Sequence, residues 1–151
     1  MRIGDTLPGD CLFITNQGET NASDLRGRKL VVYFYPKDDT PGCTTEGKDF
    51  ATHLQEFDAA DCRVIGVSKD SLARHKKFSD KYAFRFDLAS DEDGKLCERF
   101  DVWKEKSMYG KKYMGIERAT FLFNAQGKLT NQWRKVKVPG HVAEVLVAAK
   151  T

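Results

Sequence analysis

An α/β fold with a mixed central sheet flanked by helices is predicted by three observations. The run "LVVYFY", residues 30–35, is β-branched and aromatic, is closed by Pro36, and suits a strand buried on both faces. Apolar residues at helical spacing follow it, and the same strand-then-helix alternation returns over 62–83. Further on, two strand-like runs flank the turn "NAQG" as an antiparallel hairpin and lead into a last helix, which makes the central sheet mixed.

In chain order, "CLFITNQGET" (11–20) reads as a strand entering a turn. After the 30–35 strand, Phe50, Leu54 and Phe57 share a helical face and predict a helix of about four turns from Thr44 to Asp61. "CRVIGVS" (62–68) is a second buried strand, and Ser71 caps a helix over 71–83. A shorter helix fits 94–102, with Leu96, Phe100 and Cys97 on one face. Residues 104–117 read as a Gly- and Lys-rich loop, whose Met108, Tyr109 and Tyr113 either line a site or cover the core. Strands at 119–124 and 129–138 are joined by the turn at Gly127, and a helix over 141–150 follows Pro139 and Gly140. Trp103 and Trp133 are expected to pack. This order is compatible with a thioredoxin-like layout.

With 151 residues, 40% of them hydrophobic, the chain supports one core, so residues 1–151 read as a single domain. The 25 basic and 22 acidic residues are interspersed, which describes a solvated surface and argues against nucleic-acid binding. The segments "KEKSMYGKK" and "WRKVKVPGH" fit the same reading, as a solvated loop and the outer face of an edge strand. "MRIGDTLPGD" lacks the apolar core of a signal peptide and no run approaches membrane-spanning length, so a soluble, cytoplasmic protein with no membrane partner is expected. The cysteines at 11, 43, 62 and 97 form no CxxC, and the three histidines add no zinc-type spacing, which argues against a metal site.

Cys43 stands out by position, where a strand-ending loop becomes the first turn of a helix. Unpaired N–H groups and the positive end of the helix dipole face such a sulfur and favour thiolate. A thiol of pKa about 8.5 is about 3% ionised at pH 7, and one of pKa near 6 about 90%, a gain of roughly thirtyfold. That is modest, so a reaction also needs groups that stabilise charge on whatever leaves. Thr40 offers a hydroxyl three residues earlier, Pro36 and Pro41 stiffen the loop, and Arg118 precedes a core strand by one residue. Taken singly, each has an ordinary reading: a small buried hydrophobe for the cysteine, turn residues for Thr40 and the prolines, a surface ion pair for Arg118.

Together, "YPKDDTPGCT" matches the P-x-x-x-T-x-x-C signature of peroxiredoxins at Pro36, Thr40 and Cys43. With "EKSMYGKKYMGIERATF" and "WRKVKVPGH", the chain resembles the bacterioferritin comigratory protein, or peroxiredoxin Q, class from about residue 3 to the C-terminus. The resemblance implies a thioredoxin-like fold and thiol-dependent reduction of hydrogen peroxide and organic hydroperoxides, without metal or organic cofactor. It also implies roles: Cys43 as peroxidatic nucleophile, Thr40 hydrogen-bonded to thiolate and peroxide, Pro36 shielding the sulfenate, and Arg118 lowering the thiolate pKa and orienting peroxide. Such proteins are often monomeric, and a monomer is expected here in preference to a dimer.

The class also commonly carries a second, resolving cysteine, either five residues after the first or on the next helix. Those positions hold Lys48 and, by alignment, Ser79. Cys11 and Cys62 lie on strands and read as inert core thiols, leaving Cys97 as the remaining candidate. A one-cysteine cycle with an external thiol reductant (thioredoxin, glutaredoxin or glutathione) is preferred, with a Cys43–Cys97 disulfide as the alternative. Other classes fit less well. A cysteine phosphatase needs an arginine where Asp49 stands, a dithiol oxidoreductase needs CxxC, and a holdase needs an apolar patch that no segment announces. A redox sensor that passes oxidation to a partner shares the first chemical step and differs in turnover.

Overall fold

The computed structural model describes residues 1–151. In chain order it contains β1 (Leu12–Thr15), β2 (Gly18–Asn21), a 3-10 turn, β3 (Lys29–Phe34), α1 (Pro41–Ala59), β4 (Cys62–Ser68), α2 (Leu72–Tyr82) and β5 (Asp87–Ser90). The second half adds α3 (Lys95–Arg99), β6 (Trp103–Met108), β7 (Lys111–Ile116), β8 (Ala119–Phe123), β9 (Leu129–Trp133) and α4 (His141–Ala149).

Seven strands form one mixed sheet in the order β2-β1-β5-β4-β3-β8-β9. β3, β4 and β5 run parallel at its centre, while β8 and β9 on one side and β1 and β2 on the other are antiparallel. The period-2 alternation of β3 divides the interior into two layers. Val31, Tyr33 and Tyr35 face the layer built with Phe50 and Phe57 of α1, Phe78 of α2 and Val142, Val145 and Leu146 of α4. Val32 and Phe34 face the other layer, with Cys11, Leu96, Cys97 and Phe100. This is the expected helix-flanked mixed sheet.

Four elements differ from the sequence expectation. α1 starts at Pro41 rather than Thr44, which puts Cys43 inside the helix. β5 was not foreseen: four residues ending in Ser90 and followed by acidic residues are too short and too polar to read as a strand, and parallel pairing with β4 defines them. Residues 104–117 are not a loop but most of the separate β6–β7 hairpin, whose mostly exposed side chains carry no apolar period. β9 stops at Trp133 rather than 138, and Lys135 beyond it sits at φ 48°, outside strand geometry.

Candidate active site

The site lies at the end of β3, where Phe34 pairs with Ala119 at the start of β8. Residues 35–40 turn from this edge into α1. Thr40 is the extended N-cap, and Pro41 takes the first helical position, where its missing N–H costs no hydrogen bond. The first intrahelical bond runs from the Thr44 N–H to the Thr40 carbonyl (2.8 Å), so the amides of Gly42 and Cys43 are left at the positive helix end without a backbone acceptor. Cys43 is thereby in the first turn and only 2% exposed.

Arg118, one residue before β8, reaches this turn from the neighbouring strand. Its Nη2 donates to Cys43 Sγ at 3.4 Å and its Nη1 donates to Glu46 Oε1 at 2.6 Å. Cys43, Glu46 and Phe50 lie on the inward face of α1 at i, i+3 and i+7, which brings the carboxylate under the sulfur side of the helix. Gly42 leaves room for the guanidinium, since a Cβ there would meet Nη2 at 3.2 Å. Burial pushes the Glu46 carboxyl up to about 7, although the Arg118 charge pulls in the opposite direction. For Arg118, burial works against the charge, but Glu46 and Cys43 outweigh it and hold the guanidinium above its usual range. Glu46 Oε2 is buried without a partner.

The remaining expected site residues fall as follows. Thr40 is on the same loop, but its hydroxyl donates to the Lys37 carbonyl (2.9 Å) and makes no bond to Cys43. Pro36 is exposed where the loop leaves the sheet. Cys97 is on α3 in the opposite core layer, so the central sheet separates it from Cys43. Burial and the Asp91 carboxylate push its thiol up. Cys11 shares that layer, and burial raises its thiol too. Cys62 pairs with Lys29 at the far end of β3, and burial takes its thiol to about 12. At the two positions where the resemblance leads one to expect a resolving cysteine, the Lys48 ammonium lies 5.0 Å over the Tyr82 ring and the buried Ser79 hydroxyl donates to the Phe84 carbonyl. Met108, Tyr109 and Tyr113 do not cover the core; Tyr109 is 99% exposed.

Glu46 is the member that sequence reasoning missed. A carboxylate three residues after a cysteine, with Phe50 completing the inward face, was the available signal. Asp38, Asp70 and His75 place metal-type donor atoms within 4.8 Å of one another, but hydrogen bonds among them and to their neighbours already engage these groups.

The family model of AhpC/TSA matches residues 3–132. The chain belongs to the AhpC/TSA family. It is 56% identical to Peroxiredoxin Bcp of Xanthomonas campestris over 139 residues, covering 92% of this chain and 87% of that protein. Peroxiredoxin Bcp of Bacillus subtilis is 50% identical over 151 residues, covering 99% and 96%. Among solved structures, the bacterioferritin comigratory protein of Xanthomonas campestris, described for its alkyl peroxide reduction activity, superposes with a TM-score of 0.90 at 50% identity, covering 97% of this chain and 98% of that one. These relatives make the fold thioredoxin-like and the chain a peroxiredoxin of the Bcp and Q class, a thiol-dependent peroxidase. No helix of this peroxiredoxin is long and apolar enough to cross a membrane.

Proposed function

We propose that the chain reduces hydrogen peroxide and organic hydroperoxides through Cys43 alone, with an external thiol completing the cycle. The reading rests chiefly on the Arg118 bridge: one guanidinium nitrogen on Cys43 Sγ, the other fixed on buried Glu46. A cation held in this way needs no rearrangement to meet charge on sulfur or on a departing oxygen. The activity described for the Xanthomonas campestris relative supports alkyl hydroperoxides as a substrate class.

The Cys43 thiolate attacks the terminal peroxide oxygen and the S–O bond forms as the O–O bond breaks. The electron pair of that bond passes to the departing oxygen, which takes a proton and leaves as water or alcohol. Arg118 and the free amides of Gly42 and Cys43 stabilise the growing charge. Thr40 joins them once its hydroxyl turns from Lys37, and Pro36 limits access of water to the product. Sulfur is oxidised by two electrons to sulfenic acid. A first external thiol then forms a mixed disulfide and releases water, and a second restores Cys43. Separation of Cys97 from Cys43 by the sheet, and the absence of cysteine at Lys48 and Ser79, support the external route. Four free cysteines suit a reducing compartment, and the cytoplasm is the proposed location.

NADPH-coupled peroxidase assays with thioredoxin and glutaredoxin systems side by side test the proposal. Wild type turns over with at least one system, and Cys43→Ser is inactive with both. Activity retained in Cys43→Ser overturns the assignment of the nucleophile.

A further inference from the structure

Two consecutive aspartates of the loop that enters α1 are both held by α2. Asp38, 4% exposed, accepts from the Tyr35 hydroxyl through Oδ1 (2.6 Å), and its Oδ2 lies 2.6 Å from Nδ1 of fully buried His75. The other ring nitrogen, Nε2, is 2.9 Å from the Ala89 carbonyl on β5. A carbonyl oxygen only accepts, so Nε2 carries a proton. The Nδ1 to Oδ2 contact joins two atoms that each accept when unprotonated, so it too encloses a proton. The Asp38 backbone N–H donates to Asp70, and the Ser68 hydroxyl donates to the same carboxylate. One residue on, Asp39 occupies the left-handed region at φ 57°, which aspartate tolerates better than most residues with a side chain, and accepts from Lys81 Nζ (2.8 Å) and the Tyr82 hydroxyl (2.7 Å).

Thr40 follows directly, and Cys43 lies three residues further on. The loop therefore has little freedom of its own: β5 and α2 set it through His75, and the end of α2 sets it through Lys81 and Tyr82. We infer that His75 is a positioning residue of the peroxide reaction, acting through Asp38 to fix the Thr40 and Cys43 turn against Arg118. A misplacement of about 1 Å at a reacting centre costs on the order of a hundredfold in rate, so loss of the dyad is felt at Cys43 without any contact to substrate. The inference rests on Cys43 being the nucleophile.

The test measures the second-order rate of Cys43 oxidation by hydrogen peroxide, in rapid mixing at 25 °C, for samples shown to be folded by circular dichroism. His75→Phe and Asp38→Ala slow oxidation at least tenfold. Asp38→Asn, whose amide donates to Nδ1 and whose oxygen still accepts from Tyr35, restores the rate to within about threefold of wild type. Should His75→Phe not fold, His75→Gln carries the same tenfold expectation, because it keeps a donor for Ala89 and loses the Asp38 contact. Folded His75 variants that oxidise within threefold of wild type reduce the dyad to a structural role, and an Asp38→Asn as slow as Asp38→Ala shows that charge rather than geometry is at work. Either result overturns the inference. Failure of the underlying reading is recognised separately, by peroxide turnover that survives in Cys43→Ser.

Discussion

At Arg118, one guanidinium serves two partners of different character: a sulfur at 3.4 Å and a buried carboxylate at 2.6 Å. The carboxylate holds the cation, and the cation is thereby aimed at the sulfur. Arg118→Lys keeps a charge but loses the two-pronged fork, and it slows Cys43 oxidation by about a hundredfold, read by rapid-mixing kinetics with hydrogen peroxide. Glu46 gives a stability prediction with a defined sign. Its folded pKa of about 7 lies above the ordinary 4.5, so between these values the folded state holds the extra proton. The stability it contributes is complete below about 4.5 and is lost as pH rises through about 7. Glu46→Gln keeps an acceptor for Arg118 and cannot titrate. Relative to wild type it gains up to about 3 kcal/mol between pH 4.5 and 8, measured by urea unfolding across that range.

Helix α1 is placed by a close approach as well as by its cap. Gly47 faces Phe84, and an added Cβ would sit 2.6 Å from the ring's Cζ. That ring stacks on Phe86 at 5.1 Å and meets Phe78 edge-on at 5.1 Å, so it has nowhere to retreat. Gly47→Ala gains up to about 1 kcal/mol of helix propensity but loses about 1–3 kcal/mol to overpacking, and a net fall in Tm is expected in calorimetry. Helix α4 begins at His141, whose Nε2 lies 2.7 Å from the Thr120 hydroxyl of β8 and whose pKa burial lowers to about 4. From about 6.5 down to 4 the unfolded chain binds the proton and the folded chain does not, so stability falls with pH across that window. His141→Gln flattens this acid limb by on the order of 2 kcal/mol, read by chemical denaturation at pH 4 and pH 7.

Across the whole molecule, the central sheet is a partition: Cys43 lies on the face of α1 and α4, and Cys97 on the face of α3. A disulfide needs Cα atoms roughly 4.4–6.8 Å apart, which two residues packed on opposite faces of one sheet do not reach without unfolding. After one equivalent of peroxide, mass spectrometry is therefore expected to find a dimedone-trapped sulfenate on Cys43 and no internal loss of two hydrogens, and Cys97→Ser turns over with an external thiol like wild type. The two buried strands β3 and β4, helix α1 and the suspicion attached to Cys43 were legible because each rests on local pattern: a buried β-branched run, a 3.6-residue period, a cysteine beside a helix start. The β6–β7 hairpin was not, because most of its side chains face solvent and only Ile116 is buried, which leaves no apolar period to read. Arg118 was legible as a cation at the right end of a strand, whereas the use of Glu46 to hold it depended on burial. The contact that ties the loop before Cys43 to α2 had no signal at all, since Asp38 and His75 are 37 residues apart and are joined only by packing of α2. The sequence by itself thus determined the strand and helix alternation and the nucleophile candidate, because backbone preference and hydrophobic period act over a few residues. Only the tertiary structure decided which charges meet, which thiols are separated, and what holds the loop, because burial and hydrogen bonding between distant segments exist only once the layers have closed.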